Sequence, residues 1–260
     1  MLLVIDVGNT NTVIGVYEEL TLRANWRLRT ERHATADELG VLVSSLFRAA
    51  DVAMERIRCT VISCVVPPLV NSLYGFCRHY FQHSPQWVDA KSYPLMPIRV
   101  VNPSEVGADR IVNAVGAYEK FHSALIVIDF GTATTFDVIS TQGEYLGGTI
   151  APGLMISAEA LFHKASKLPR VEIFSPPEKV IGRTTIDSIR SGLIYGYAGL
   201  VDGMVARLRL EISDDVQVIA TGGLAGLIAE VSRSIEAVEP DLTLEGLRII
   251  GQYNAPSDAG

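Results

Sequence analysis

At 260 residues, 48% of them hydrophobic, the chain is long enough for one large domain or two ordinary ones around a sizeable core. Its 22 basic and 29 acidic residues leave a net charge of −7, which argues against a broad nucleic-acid footprint and requires any anionic substrate to be held locally. Three cysteines, Cys59, Cys64 and Cys77, form no CxxC pair and read as structural thiols of a cytoplasmic protein. The N-terminal MLLVID lacks a basic region and carries an acid at position 6, so it reads as a strand rather than a signal peptide. No apolar run reaches the roughly 18 residues of a membrane helix, so no membrane partner is expected.

Residues 2 to 7, 11 to 17 and 21 to 28 are predicted as three antiparallel strands with turns at GNTN and EEL. From Ala36 the spacing of Leu39, Leu42, Val43, Leu46, Phe47 and Ala50 is helical, and RCTVISCVVPP then reads as a buried strand stopped by two prolines. A helix over about 68 to 81 and a short strand near Trp87 complete a βββαβαβ half. NPSEVGADRIVNAVGAYEKF opens with turn chemistry and sets Ile111, Val112, Val115 and Tyr118 on one helical face.

The order then repeats. Strands are predicted at 124 to 129, 134 to 139 and 144 to 151, with a helix after GGTIAPGL. A long helix over about 184 to 210 carries Tyr195 and Tyr197 on an apolar face, read as core or a subunit contact. VQVIATGGLAGLIAEV reads as strand, glycine turn and helix. The expected fold is α/β, one duplication rather than a solenoid, divided into 1–118 and 119–253 with 254–260 as a flexible tail.

The duplication is legible in the residues themselves. VIDVGNTNTVIGVY at 4 to 17 returns as VIDFGTATTFDVIS at 127 to 140, matching Asp6 to Asp129, Gly8 to Gly131 and Thr12 to Thr135. A strand ending in an acid, a glycine and small polar residues exposes backbone N–H groups at a tight turn that an anion can approach. One such turn alone reads as an ordinary capped β-turn. Two at matched topology are expected to face each other across a cleft and grip a triphosphate. Bare carboxylates beside phosphates repel by roughly 4 kcal/mol for unit charges about 4 Å apart at an effective dielectric of about 20, so cations must intervene. Mg²⁺ suits this role because it binds few carboxylates and keeps its waters. No GxxxxGK[ST] occurs. In ATGGLAG, at 220 to 226, Gly222 and Gly223 could let an adenosine lie against backbone, although the bland reading is a tight strand-to-helix turn.

Other chemistries fare worse. Cys77, His79 and His83 lie on a predicted helix at a spacing a metal could use, but without a fourth ligand they read as solvated side chains. Neither HExxH nor GxSxG is present.

The paired turns and the TGG resemble the phosphate and adenosine motifs of the actin-like ATPase superfamily, implying two duplicated ribonuclease-H-like domains with a central cleft. EVGADRIVNAVGAY at 105 to 118, with IDFGTATTFD and GGTIAPGL, is similar to type III pantothenate kinases over nearly the whole chain. The resemblance implies transfer of the γ-phosphoryl group of ATP to pantothenate in a cytoplasmic homodimer. Gly107, Ala108, Asp109 and Arg110 would bind pantothenate, with Asp109 as proton acceptor. Thr184 matches a further pantothenate contact and also fits a helix N-cap. The first ATP loop matches Asp6, Val7, Gly8, Asn9, Thr10, Asn11, Thr12 and Val13, with Asp6 acting through Mg²⁺ and its water and the N–H groups around Gly8 facing phosphates; Thr132 matches a second ATP contact. Asp129 matches a monovalent-cation site, K⁺ or NH₄⁺. At the start of a helix, Asp109 is expected to be held as a stabilised anion and weak base, and Arg110 offers a fork for the substrate carboxylate. Val100 and Val101 stand where many relatives have a tyrosine before the Asn-Pro. A nucleotide-binding regulator without activity and a kinase for another hydroxy acid are the alternatives.

Overall fold

The computed structural model describes residues 1–212 and 215–254. The chain divides into two compact units, the first built from Met1–Pro97, Val101–Glu119 and the segment from Leu242 onward, the second from Ile98–Val100 and Lys120–Asp241.

In the first unit, β1 (Leu2–Val7), β2 (Asn11–Glu18) and β3 (Thr21–Arg29) form the expected meander. Helix α1 (Ala36–Ala49) follows, then β4 (Cys59–Cys64), α2 (Val70–Tyr80), β5 (Gln86–Trp87) and α3 (Ala108–Phe121). The sheet order is β3-β2-β1-β4-β5, with β4 parallel to β1. Period-two alternation sends Leu3, Ile5 and Val7 to one face, where they pack with Ile62 against Val43 and Phe47 of α1 and Phe76 of α2. Helix α1 is fixed at its start by a capping box: the Thr35 hydroxyl accepts from the Glu38 N–H at 3.2 Å and the Glu38 carboxylate accepts from the Thr35 N–H at 2.8 Å.

The second unit repeats this order. Strands β6 (Leu125–Phe130), β7 (Ala133–Ile139) and β8 (Tyr145–Pro152) form a second meander, followed by α4 (Leu154–Lys164), α5 (Thr185–Glu211), β9 (Gln217–Thr221), α6 (Ala225–Ala229) and β10 (Ala237–Val238). Its sheet order is β10-β9-β6-β7-β8, strand for strand the order of the first unit. Ile126, Ile128 and Phe130 pack with Ile194, Val201 and Val205 of α5. Tyr197 belongs to that core; its hydroxyl donates to the Pro152 carbonyl at 2.8 Å.

The final helix, α7 (Leu242–Tyr253), departs from the expected division. It belongs to the first unit, not to a 119–253 domain, because glycines let it lie close there. A Cβ on Gly251 would stand 2.7 Å from Cγ2 of Val61, and one on Gly116 of α3 would stand 2.8 Å from the Leu242 carbonyl and 3.1 Å from the Gly246 nitrogen. Thr243 donates to the Asn113 side chain of α3 at 2.7 Å across the same crossing. Of the expected flexible tail, Asn254 is tied down through its side-chain amide to the Ser92 carbonyl at 2.7 Å, and 255–260 lie outside the described residues.

The cysteines are free thiols; Cys77 is buried, and burial pushes its thiol up to about 12. Helix α2 ends at Tyr80, so the expected helical spacing of Cys77, His79 and His83 is broken. His79 is exposed, whereas His83 shares a hydrogen bond of 2.9 Å with the Thr60 hydroxyl.

Candidate active site

Both hairpins place their acid next to the end of the strand, but the two turns differ by one residue. Asp6 pairs with Val13 across β1 and β2, whereas Asp129 pairs with Thr135 across β6 and β7. The Gly8 N–H donates to the Asn11 carbonyl at 3.0 Å, and the Gly131 N–H donates to the Ala133 carbonyl at the same distance. The structural partner of Thr12 is therefore Thr134, not Thr135 as the aligned sequences suggest, because the second turn is shorter. The Gly8 N–H is engaged within the turn.

The turns are braced from the third strand of each meander, a feature sequence reasoning missed. In the first unit, the Thr30 N–H donates to the Thr10 carbonyl at 3.0 Å and the Thr30 hydroxyl to the Gly8 carbonyl at 2.7 Å. In the second, the Gly153 N–H donates to the Thr132 carbonyl at 3.1 Å. A Cβ on Gly153 would collide with the carbonyls of Gly131 and Thr132, so only glycine fits there. The signal available in the sequence was position alone: each lies just past the third strand. Asn9, Thr10 and Asn11 are exposed at the first turn, Thr12 and Val13 are half-buried, and the Val7 side chain lies in the core, leaving only its backbone for a ligand. Arg32 donates to the Asn9 side chain at 3.1 Å. Thr132 is exposed at the second turn.

Gly222 sits against Asp129. Its φ of 93° is left-handed, and a Cβ there would stand 2.5 Å from Oδ1 of Asp129 and 2.7 Å from the Phe130 carbonyl. The close approach that demands glycine is thus toward Asp129, whereas Gly223 is exposed and a Cβ there would meet nothing within 4 Å. The Asp129 carboxylate and the Phe130 carbonyl are oxygen donors, which suit K⁺ or Mg²⁺ and not a thiophilic ion. Among the described residues no three His, Cys, Asp or Glu side chains cluster to hold a metal. A divalent ion at Asp6 would therefore take its remaining ligands from water and phosphate, the usual state of Mg²⁺.

The Gly-Ala-Asp-Arg segment opens α3. The Gly107 carbonyl accepts from the N–H groups of Arg110 at 3.1 Å and Ile111 at 3.2 Å, which starts the helix. The Asp109 carboxylate folds back over this turn and accepts the Arg110 N–H at 2.8 Å. A Cβ on Gly107 would stand 2.5 Å from Oδ1 of Asp109, so the glycine makes room for the carboxylate. Burial pushes the Asp109 carboxyl above the usual aspartate range, against the opposing pull of the Arg110 N–H and charge. This reverses the expectation of a stabilised anion: desolvation outweighs the hydrogen bond and charge of Arg110. Ala108 and Arg110 are half-buried beside it.

Thr184 is exposed and caps α5: its hydroxyl accepts from the Asp187 N–H at 3.1 Å and donates to the Asp187 carboxylate at 2.7 Å.

Comparison with known proteins gives the family. The family profile described as type III pantothenate kinase matches residues 2–207. A type III pantothenate kinase of Desulfatibacillum aliphaticivorans is 61% identical over 250 residues, 96% of this chain and 97% of that one. Another, of Desulforapulum autotrophicum, is 60% identical and covers 96% of each chain. Among solved structures, a ROK family glucokinase from Streptomyces griseus in complex with glucose and AMPPNP matches with a TM-score of 0.52 at 13% identity, over 97% of this chain and 100% of that one. That likeness is one of fold, and the two matched sheets are the duplicated units of an actin-like ATPase fold. The chain belongs to the type III pantothenate kinase family.

Proposed function

We propose that this chain transfers the γ-phosphoryl group of ATP to the hydroxyl of pantothenate, giving 4′-phosphopantothenate and ADP, the first step of coenzyme A biosynthesis. The observation that carries the reading is Asp109: a half-buried carboxylate whose pKa desolvation raises, folded over Gly107 beside Arg110, in a chain of this family. Asp109 orients the pantothenate hydroxyl toward the γ-phosphorus. As the new O–P bond forms and the bond to the bridging oxygen of ADP breaks, the hydroxyl proton passes to Asp109. The transition state is loose, so orientation matters more than early deprotonation.

Arg110 offers its fork to the pantothenate carboxylate, Gly107 and Ala108 allow close approach of the backbone, and Thr184 lends its hydroxyl. The turn from Asp6 to Val13 and Thr132 serve the ATP phosphates, and Gly222 with Gly223 the adenosine. When bound, Mg²⁺ held through water at Asp6 and K⁺ or NH₄⁺ at Asp129 would neutralise the charge between carboxylates and phosphates. Retention of Asp6, Asp109, Arg110 and Asp129 favours a kinase over a regulator without activity.

We infer that the chain works as a homodimer in the cytoplasm. Met155, Ile156, Leu161 and Phe162 of α4 stand 40–46% exposed, apolar surface that a second copy would cover. The activity is tested by a coupled ADP-release assay with pantothenate and a panel of related hydroxy acids. ADP release that requires pantothenate is expected; equal release with another hydroxy acid, or with none, would overturn the assignment.

A further inference from the structure

The core of the first unit holds a space that none of the roles above uses. A cavity of about 190 Å³ lies between the sheet and the two helices packed on it. Ile5 and Val7 of β1, Ile14 of β2, Leu28 of β3, Val43 of α1 and Phe76 of α2 wall it. All of these except Leu28 are at most 3% exposed, so the walls are core and not surface. Exposed Arg29, Glu31 and Glu38 edge the cavity and open it to solvent on one side.

Inside that rim the side chains offer an occupant no free donor. The one hydroxyl in the lining is that of Thr12, 3.0 Å from the Thr30 hydroxyl. Thr30 has a single hydroxyl proton and gives it to the Gly8 carbonyl at 2.7 Å, so the proton between the two threonines comes from Thr12. The rim carries two acids and one base, which gives a charged head group no single sign to pair with, and Glu38 is already engaged by the Thr35 N–H and hydroxyl. Water is held poorly where it finds few polar partners, and an apolar cavity of about 150 Å³ is known to stay dry and admit benzene. This space suits one ring with a small substituent.

Position ties the cavity to the first turn. Val7 and Thr12 are both wall residues, they pair across β1 and β2, and they flank the turn of residues 8 to 11. The bonds from Thr12 to Thr30 and from Thr30 to Gly8 run from the cavity wall into that turn. We propose that the cavity binds a small uncharged apolar molecule, a substituted ring or a short branched chain, and that filling it braces the turn and strengthens nucleotide binding. The inference rests on the ATP role given to the turn above. Such coupling is reciprocal, so nucleotide must tighten the apolar ligand by the same factor.

The test is calorimetric titration of the full chain with toluene, with and without saturating AMPPNP, and of AMPPNP with and without toluene. Toluene should bind at one site, and benzoate and benzylamine at least about tenfold more weakly, because neither charge finds a partner inside. Toluene and AMPPNP should each raise the other's affinity by one common factor of about three or more. Val43→Phe, which fills the space from α1, should abolish toluene binding and leave AMPPNP affinity at or above that of the parent. Should that variant not fold, Ala34→Val, on the same wall, is read in the same way. Absence of toluene binding, binding undiminished in the filled variant, tighter binding of benzoate or benzylamine, or AMPPNP affinity that toluene leaves unchanged would each overturn the proposal. A parent chain that takes up toluene but no AMPPNP would instead remove the nucleotide reading of the turn, and the coupling with it.

Discussion

At Asp109 two local effects compete. The start of α3 and the Arg110 N–H favour the carboxylate, while burial favours the neutral acid, and burial wins. Below the unfolded pKa both states hold the proton and Asp109 contributes nothing. As pH rises past that value the unfolded chain ionises first, so the destabilisation grows until pH exceeds the raised folded pKa and is constant above it. Asp109→Asn should therefore raise the melting temperature at neutral pH, and the gain should vanish in acid below the ordinary aspartate range; a thermal melt series from acid to neutral pH checks this. The acid limb of kcat/KM should likewise fall at higher pH than an exposed aspartate would give. Sequence made Asp109 a candidate but misjudged its basicity, because burial arises from packing that spacing along the chain does not reveal. The mismatch of Thr12 and Thr135 has a similar origin: identity at an offset of 123 cannot show that one turn is a residue shorter.

At the scale of elements, strands and long helices were legible because alternation and helical spacing act locally. Strands β1 to β3 and helices α1, α3 and α5 fall within a residue or two of expectation. What escaped were short pieces and distant partners: the two-residue β10, and α7, whose place is decided by glycine contacts with residues more than a hundred positions away. Gly246 of α7 lies against the backbone of Val112 in α3, where a Cβ would clash with the carbonyl of Val112. Gly246→Ala should cost about 1–3 kcal/mol through overpacking, despite the better helix propensity of alanine. For a chain of this size that is a fall of roughly 2–4 °C in melting temperature per kcal/mol, read by calorimetry. An unchanged or raised melting temperature would show that the two helices can separate at no cost.

Across the whole molecule, the duplication was readable from one repeated phrase, and the matched strand orders are its structural counterpart. The placement of α7 was not readable, since it follows the second unit along the chain yet belongs to the first. The exposed apolar side chains of α4 lead to a prediction about assembly. Sedimentation equilibrium should give twice the 28.2 kDa of one chain, and replacing Ile156 and Phe162 together with Asp should give the single-chain mass with its fold retained.

Asp109 carries the mechanism as the group that orients the hydroxyl and takes its proton. Its most direct test is steady-state phosphorylation of pantothenate by Asp109→Ala, with AMPPNP affinity measured alongside. Turnover should fall by roughly two to four orders of magnitude while AMPPNP affinity stays within about threefold. Turnover equal to that of the parent chain would contradict the role of Asp109 and the mechanism built on it.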